Sequence, residues 1–135
     1  MQRFLEQINH NQSFYTCIDK NFSDKFFDWK ITVLFYIAVH CLKALSVKRN
    51  INIGDTHYDI EASVNPDREN SKMKITRNAW REYKSLYQYS RTARYNGITD
   101  IETFEQLKKN DHKYCLEHLK RFKKYIKGQG VDVSV

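Results

Sequence analysis

Between Phe26 and Leu45 almost every position is apolar: Phe26, Phe27, Trp29, Ile31, Val33, Leu34, Phe35, Tyr36, Ile37, Ala38, Val39, Cys41, Leu42, Ala44 and Leu45. A helix that is apolar on all sides is buried on all sides. The run is too long for a strand and holds no turn residues, so it predicts a central helix over about Asp24–Lys48, with Ser23 or Asp24 as its N-cap. Before it, Phe4, Leu5, Ile8, Phe14 and Ile18 are spaced for a short first helix within residues 1–18. After it, residues 50–70 become polar and turn-rich, which predicts a long connection with a short helical turn around Tyr58–Val64.

The helical period returns at about Ser71–Arg94, where Met73, Thr76, Trp80, Tyr83, Tyr87 and Ser90 form one stripe at spacings of three and four. Tyr95-Asn96-Gly97 provides a stop, since Asn and Gly tolerate positive φ. Thr99-Asp100-Ile101-Glu102 reads as a capping box opening a last helix through Phe104, Leu107, Tyr114, Leu116, Leu119, Phe122 and Ile126, which Gly128 ends. Residues 128–135 are expected to be a flexible tail. The pattern predicts one all-α domain over residues 1–135: an antiparallel four- to five-helix bundle with a long loop between the second and third main helices.

Composition supports this and adds little against it. With 135 residues and 41% hydrophobic positions the chain can bury a real core, and 4 Gly and 1 Pro are too few for the many turns of a β sandwich. Cys17, Cys41 and Cys115 make no CxxC pair, so they read as free thiols in a reducing, cytoplasmic setting rather than as disulfides or metal ligands. The apolar stretch Ile31–Leu42, bracketed by Lys30 and Lys43, is shorter than a bilayer span, and no membrane partner is expected. Nothing in the spacing calls for a metal or another cofactor. The formal charge of +7, with a pI near 9.3, does change the picture, because Lys and Arg neutralise phosphates and a polyanion becomes a candidate partner.

Trp29, then Phe35-Tyr36 and His40 on one helix, Thr56-His57 in the next connection, and then Tyr83, Leu86, Ser90-Arg91, Ala93 and Arg94-Tyr95 together resemble a prokaryotic branch of the HEPN family. The resemblance runs from about Trp29 to Ile126. It implies a four- or five-helix bundle, often a homodimer, acting on RNA. It further implies a metal-independent endoribonuclease of a toxin–antitoxin or phage-defence system, or a catalytically inert module that binds RNA or nucleotides or regulates a partner, such as a cognate antitoxin or a nucleotidyltransferase. Catalytic members carry an arginine followed, after four to six intervening residues, by histidine; after Arg91 the first such place holds Asn96, and Arg94 has no histidine in range. Arg3 and His10 have the spacing but fall in the first helix.

The candidate catalytic residues are therefore Arg91, Arg94, His40 and His57. Arg91 and Arg94 lie three apart on a helix, which sets two guanidiniums on one face and suits them to a phosphate. His40 or His57 would supply the base for a 2′-hydroxyl. Ser90, Tyr95, Asn96 and Lys84 are expected to line the RNA. The lysines and arginine of the last helix, Lys108 to Lys127, read either as a solvated face or as a second RNA-contacting surface.

Overall fold

The computed structural model describes residues 1–94 and 101–135, and the side chains of all of these except 94 and 101–104. Five helices are seen among the described residues, and no strand: α1 (Gln2–Asn21), α2 (Phe27–Lys48), α3 (His57–Val64), α4 (Arg77–Arg94) and α5 (Ile101–Gly128). The predicted bundle is present, with α3 set into the long connection between α2 and α4.

α2 is the axis. It packs on α1, α4 and α5, and Ile31, Phe35, Ile37, Ala38, Cys41, Leu42, Ala44 and Leu45 have no exposed surface. Burying each of the larger side chains contributes roughly 1.5–3 kcal/mol, so this helix carries much of the stability. It is long and apolar enough to cross a membrane by composition, yet 72% of that stretch is buried inside the bundle, as a core helix requires. The neighbouring helices alternate in direction. Phe4 of α1 meets His40 while Asp19 pairs with Lys30, so α1 runs against α2. Lys48 reaches the Gly130 carbonyl, just past the end of α5, and Arg49 bonds Gln129. These contacts set α5 parallel to α2. Glu82 bonds both His118 and Arg121, and Tyr83 meets Phe122, whereas Tyr89 meets His118, so α4 runs against α5 and hence against α2.

Three expectations need correction. α2 is not buried all round: Trp29 is 59% and Val47 43% exposed, and Tyr36 and His40 are half-buried, because no helix covers the side between α1 and α3. Its N-cap is neither Ser23 nor Asp24 but Phe26, held in the left-handed region at φ 59° with no side-chain cap. Lys30 accounts for that turn. Its Nζ, with no exposed surface, bonds the carbonyls of Phe22 (2.7 Å) and Ser23 (3.3 Å), pairs with Asp19 (3.2 Å) and lies 4.4 Å from the Phe27 ring centroid. It thereby satisfies carbonyls that the end of α1 leaves without helical partners and pins the two helices together. Finally, the expected loose tail packs down, with Val131 and Val133 in the core and Gly130 at φ 92° turning the chain back under Lys48.

A second polar group lies inside the bundle. His112 of α5 is buried, with Nε2 2.7 Å from the Tyr15 hydroxyl of α1 and the Phe27 ring 5.5 Å away. Desolvation holds its pKa below the ordinary histidine value; Asp19 opposes this and Lys30 reinforces it. Burial also pushes the thiols of Cys41 and Cys115 up to about 12, which leaves them as small apolar side chains.

Two outcomes follow from these buried groups. Lys30→Ala is expected to lower the free energy of unfolding by about 3 kcal/mol, whereas Asp19→Asn, at a half-exposed carboxylate, costs under about 1 kcal/mol. Equal small losses in urea titrations would contradict the clamp. As pH falls below the ordinary histidine value of about 6.5, the unfolded chain takes up a proton that folded His112 refuses. Stability present above that pH is then lost, by about 1.4 kcal/mol per pH unit within the window between the two pKa values. The difference in unfolding free energy between the wild type and His112→Phe should shrink accordingly between pH 7 and pH 5, and a pH-independent difference would refute the assignment.

Candidate functional site

Thr56 opens α3 by accepting the Asp59 amide on its hydroxyl (3.1 Å), an ordinary N-cap that fixes where His57 begins the helix. Gly54, at φ 86°, is pressed so closely on Asp59 that a side chain there would collide with it, so the approach to this cap is narrowly set. The His57 ring then lies 5.4 Å from Phe35, 6.1 Å from Tyr36 and 6.0 Å from Tyr87, measured between centroids. His57 is half-buried, wedged where α3 meets both α2 and α4. A loop histidine has become a packed one.

On α4, Trp80, Lys84, Tyr87 and Arg91 fall at spacings of four, three and four, which is one face of the helix. That face is turned to α3. Lys84 Nζ binds Glu61 of α3 at 3.0 Å and lies 5.6 Å and 5.3 Å from the Trp80 and Tyr87 ring centroids. Arg91 stands one turn beyond Tyr87 and is exposed. The structure therefore brings His57, Lys84 and Tyr87 together and sets Arg91 beside them.

His40 is not part of this group. Its Nδ1 lies 2.7 Å from the Tyr36 carbonyl of its own helix. A carbonyl only accepts, so Nδ1 is the donor in this bond. The ring faces Phe4 of α1, 6.3 Å away. Phe35 is level with Tyr83 and Tyr87 on the antiparallel α4. His40 lies five residues beyond Phe35 in one direction and Arg91 four residues beyond Tyr87 in the other. At 1.5 Å per residue they are separated by roughly 13 Å along the bundle. His40 and Arg91 therefore stand at different levels of the bundle.

Of the remaining candidates, Ser90 is fully buried on α4 and faces the core rather than a ligand. Tyr95, Asn96 and the side chain of Arg94 lie outside the described residues, as does the Thr99–Glu102 capping box. Tyr36 was read as one more apolar position of the core helix; its half-exposed ring beside His57 makes it a site residue. The available signal was its place four residues before His40, matching that of Tyr87 before Arg91. Tyr89 packs against His118, 6.1 Å between ring centroids. Two depressions, of about 360 Å³ and 330 Å³, lie elsewhere, along the α2–α3 connection around Asn52 and Gly54. Among the described residues no group of three His, Cys, Asp or Glu side chains gathers closely enough to hold a metal.

A family model described as HEPN domain matches residues 11–129, from within α1 to the residue after α5. No curated protein and no solved structure gives a significant match.

Proposed function

The chain belongs to the HEPN domain family of nucleotide- and RNA-related helical modules, and we propose that it holds RNA on the face shared by α3 and α4. One observation carries this reading: an exposed arginine, Arg91, stands one turn from a tyrosine whose ring packs on His57, with Lys84 on the same face. Arg91 supplies a guanidinium for a phosphate, and Tyr36 and Tyr87 offer half-exposed rings to a base. Lys84 is already engaged by Glu61, so its part is to fix α3 against α4 rather than to bind phosphate.

A second reading, a metal-independent endoribonuclease, is favoured by the placing of His57 rather than by that of His40. In it, His57 takes the proton of a 2′-hydroxyl, that oxygen attacks phosphorus, and the 5′ oxygen leaves, giving a 2′,3′-cyclic phosphate. Arg91 and Arg94 stabilise the charge that develops on the phosphoryl oxygens. Under this reading the protein is a homodimeric toxin or phage-defence effector answered by an antitoxin. Under the first it is a binding module for a partner such as a nucleotidyltransferase.

Binding of a labelled single-stranded RNA, followed by fluorescence anisotropy, separates the possibilities. Arg91→Ala should weaken binding about tenfold while thermal stability stays within about 0.5 kcal/mol, because the side chain is exposed. Unchanged affinity removes the site assignment. Release of 2′,3′-cyclic phosphate ends that His57→Ala abolishes and His40→Ala spares would establish the second reading. Binding without any cleavage leaves the first.

A further inference from the structure

The charge of +7 is not spread evenly over the bundle. Lys30, Lys108 and Lys123 are buried and have structural partners: Lys123 Nζ donates to Gln12 of α1 at 3.0 Å, and Lys108 lies 3.3 Å from Asp111. Arg121 is held by Glu82 at 2.8 Å, and Lys84 by Glu61. Part of what remains lies in line on α5, while other cations without an ion pair among the described residues, such as Arg68, Lys72, Lys74 and Arg81, are spread over the rest of the chain. Lys109, Lys113, Lys120, Lys124 and Lys127 fall at i, i+4, i+11, i+15 and i+18, which places them within an arc of roughly 60° and along roughly 27 Å of helix.

That arc points away from the core. The opposite side of α5, with Cys115, Leu119, Phe122 and Ile126, is buried, while Lys113, Lys120, Lys124 and Lys127 are all exposed. Lys109 pairs with Asp24 at 3.8 Å, a solvent-exposed pair of little strength. Lys113, Lys120, Lys124 and Lys127 have no ion-pair partner among the described residues. Asp111 is engaged by Lys108 at 3.3 Å, and Glu117 is turned towards Arg121, 4.0 Å away. A helix face with five lysines in line and no matching row of acids is held together only at the cost of mutual repulsion. That repulsion disappears when a polyanion lies along it.

We propose that this lysine row of α5 is a track for the sugar-phosphate backbone of single-stranded RNA, separate from the α3–α4 face. It rests on the reading of the protein as RNA-directed and adds to it the surface that supplies affinity without sequence preference. α5 and α3 approach α2 from different sides: α5 through His112 and Phe27, α3 through Phe35 and Tyr36. The row begins, at Lys109, at the end of the bundle where α4 finishes with Arg91 and Arg94. A strand whose phosphates follow α5 therefore emerges near the arginines. An anionic membrane fits less well, since the row includes one exposed aliphatic, Leu116 at 39%, and the apolar face a membrane-surface helix would insert is used in the core.

The test is the salt dependence of binding to a labelled 20-nucleotide single-stranded RNA of mixed sequence, between 50 and 300 mM NaCl. Each phosphate neutralised on a single strand contributes about 0.7 to the slope of log affinity against log salt. Changing Lys113, Lys120, Lys124 and Lys127 together to Gln should reduce that slope by about 3 and weaken binding at least about tenfold at 100 mM. The four-fold change to Arg should preserve both, and circular dichroism should show unchanged helicity. Should the quadruple Gln variant unfold, the pair Lys120→Gln and Lys124→Gln should reduce the slope by about 1.4. An unaltered slope overturns the proposal, and the α3–α4 reading then stands or falls on Arg91→Ala alone. Weakening by the lysine variant with no effect of Arg91→Ala supports the track and overturns the α3–α4 site. A wild type that binds no RNA overturns both. Loss of binding to phosphatidylserine vesicles with RNA binding unchanged overturns the track in favour of a membrane surface.

Discussion

Phe35 has no exposed surface, and its ring meets those of His57, Tyr83 and Tyr87 at 5.4 to 5.7 Å. That contact joins three helices at one point. α4 is held against α2 by it, and the short α3, eight residues long and too short to be stable alone, is seated where the two meet. The candidate site inherits its geometry from this contact. His57 reaches Tyr87 of α4 because Phe35 fills the space beneath it, and Arg91 stands one turn further along the same face of α4. The burial of α2 by α1, α5, α4 and α3 leaves one strip uncovered, and on it are Trp29, Tyr36 and His40.

The basic charge is divided between two uses. Lys30 and Lys123 are inside, where they satisfy backbone and side-chain oxygens at and just beyond α1. On α5 the same residue type is left in water, in line and largely unpaired. The buried cations have oxygen partners, and those of the α5 row are spaced along a helix long enough to dilute their repulsion.

The bundle was legible in the sequence because its strongest signal, the period of apolar residues in α2, α4 and α5, depends only on helical geometry. Helix ends were less so. α1 runs on to Asn21, and α4 begins at Arg77 rather than Ser71, because Thr76 accepts the Ala79 amide and so marks its start. The turn at Phe26 could not be read, since it depends on Lys30 reaching back to the Phe22 and Ser23 carbonyls, a contact that no local preference encodes. At the site, Arg91 was singled out by the family resemblance and by its spacing from Arg94, while the stripe read along α4 left Lys84 and Arg91 outside it. That His57 would join them and His40 would not depends on where α3 docks, which is decided by packing between residues far apart in the chain.

A titration of the isotopically labelled protein with single-stranded RNA, read residue by residue from amide chemical shifts, tests the central claim most directly. Shifts should concentrate at Tyr36, His57, Tyr87 and Arg91 and along Lys109 to Lys127, while the amides around Asn52 and Gly54 stay in place. Shifts confined to that α2–α3 connection, or none at RNA concentrations up to 1 mM, would contradict the account.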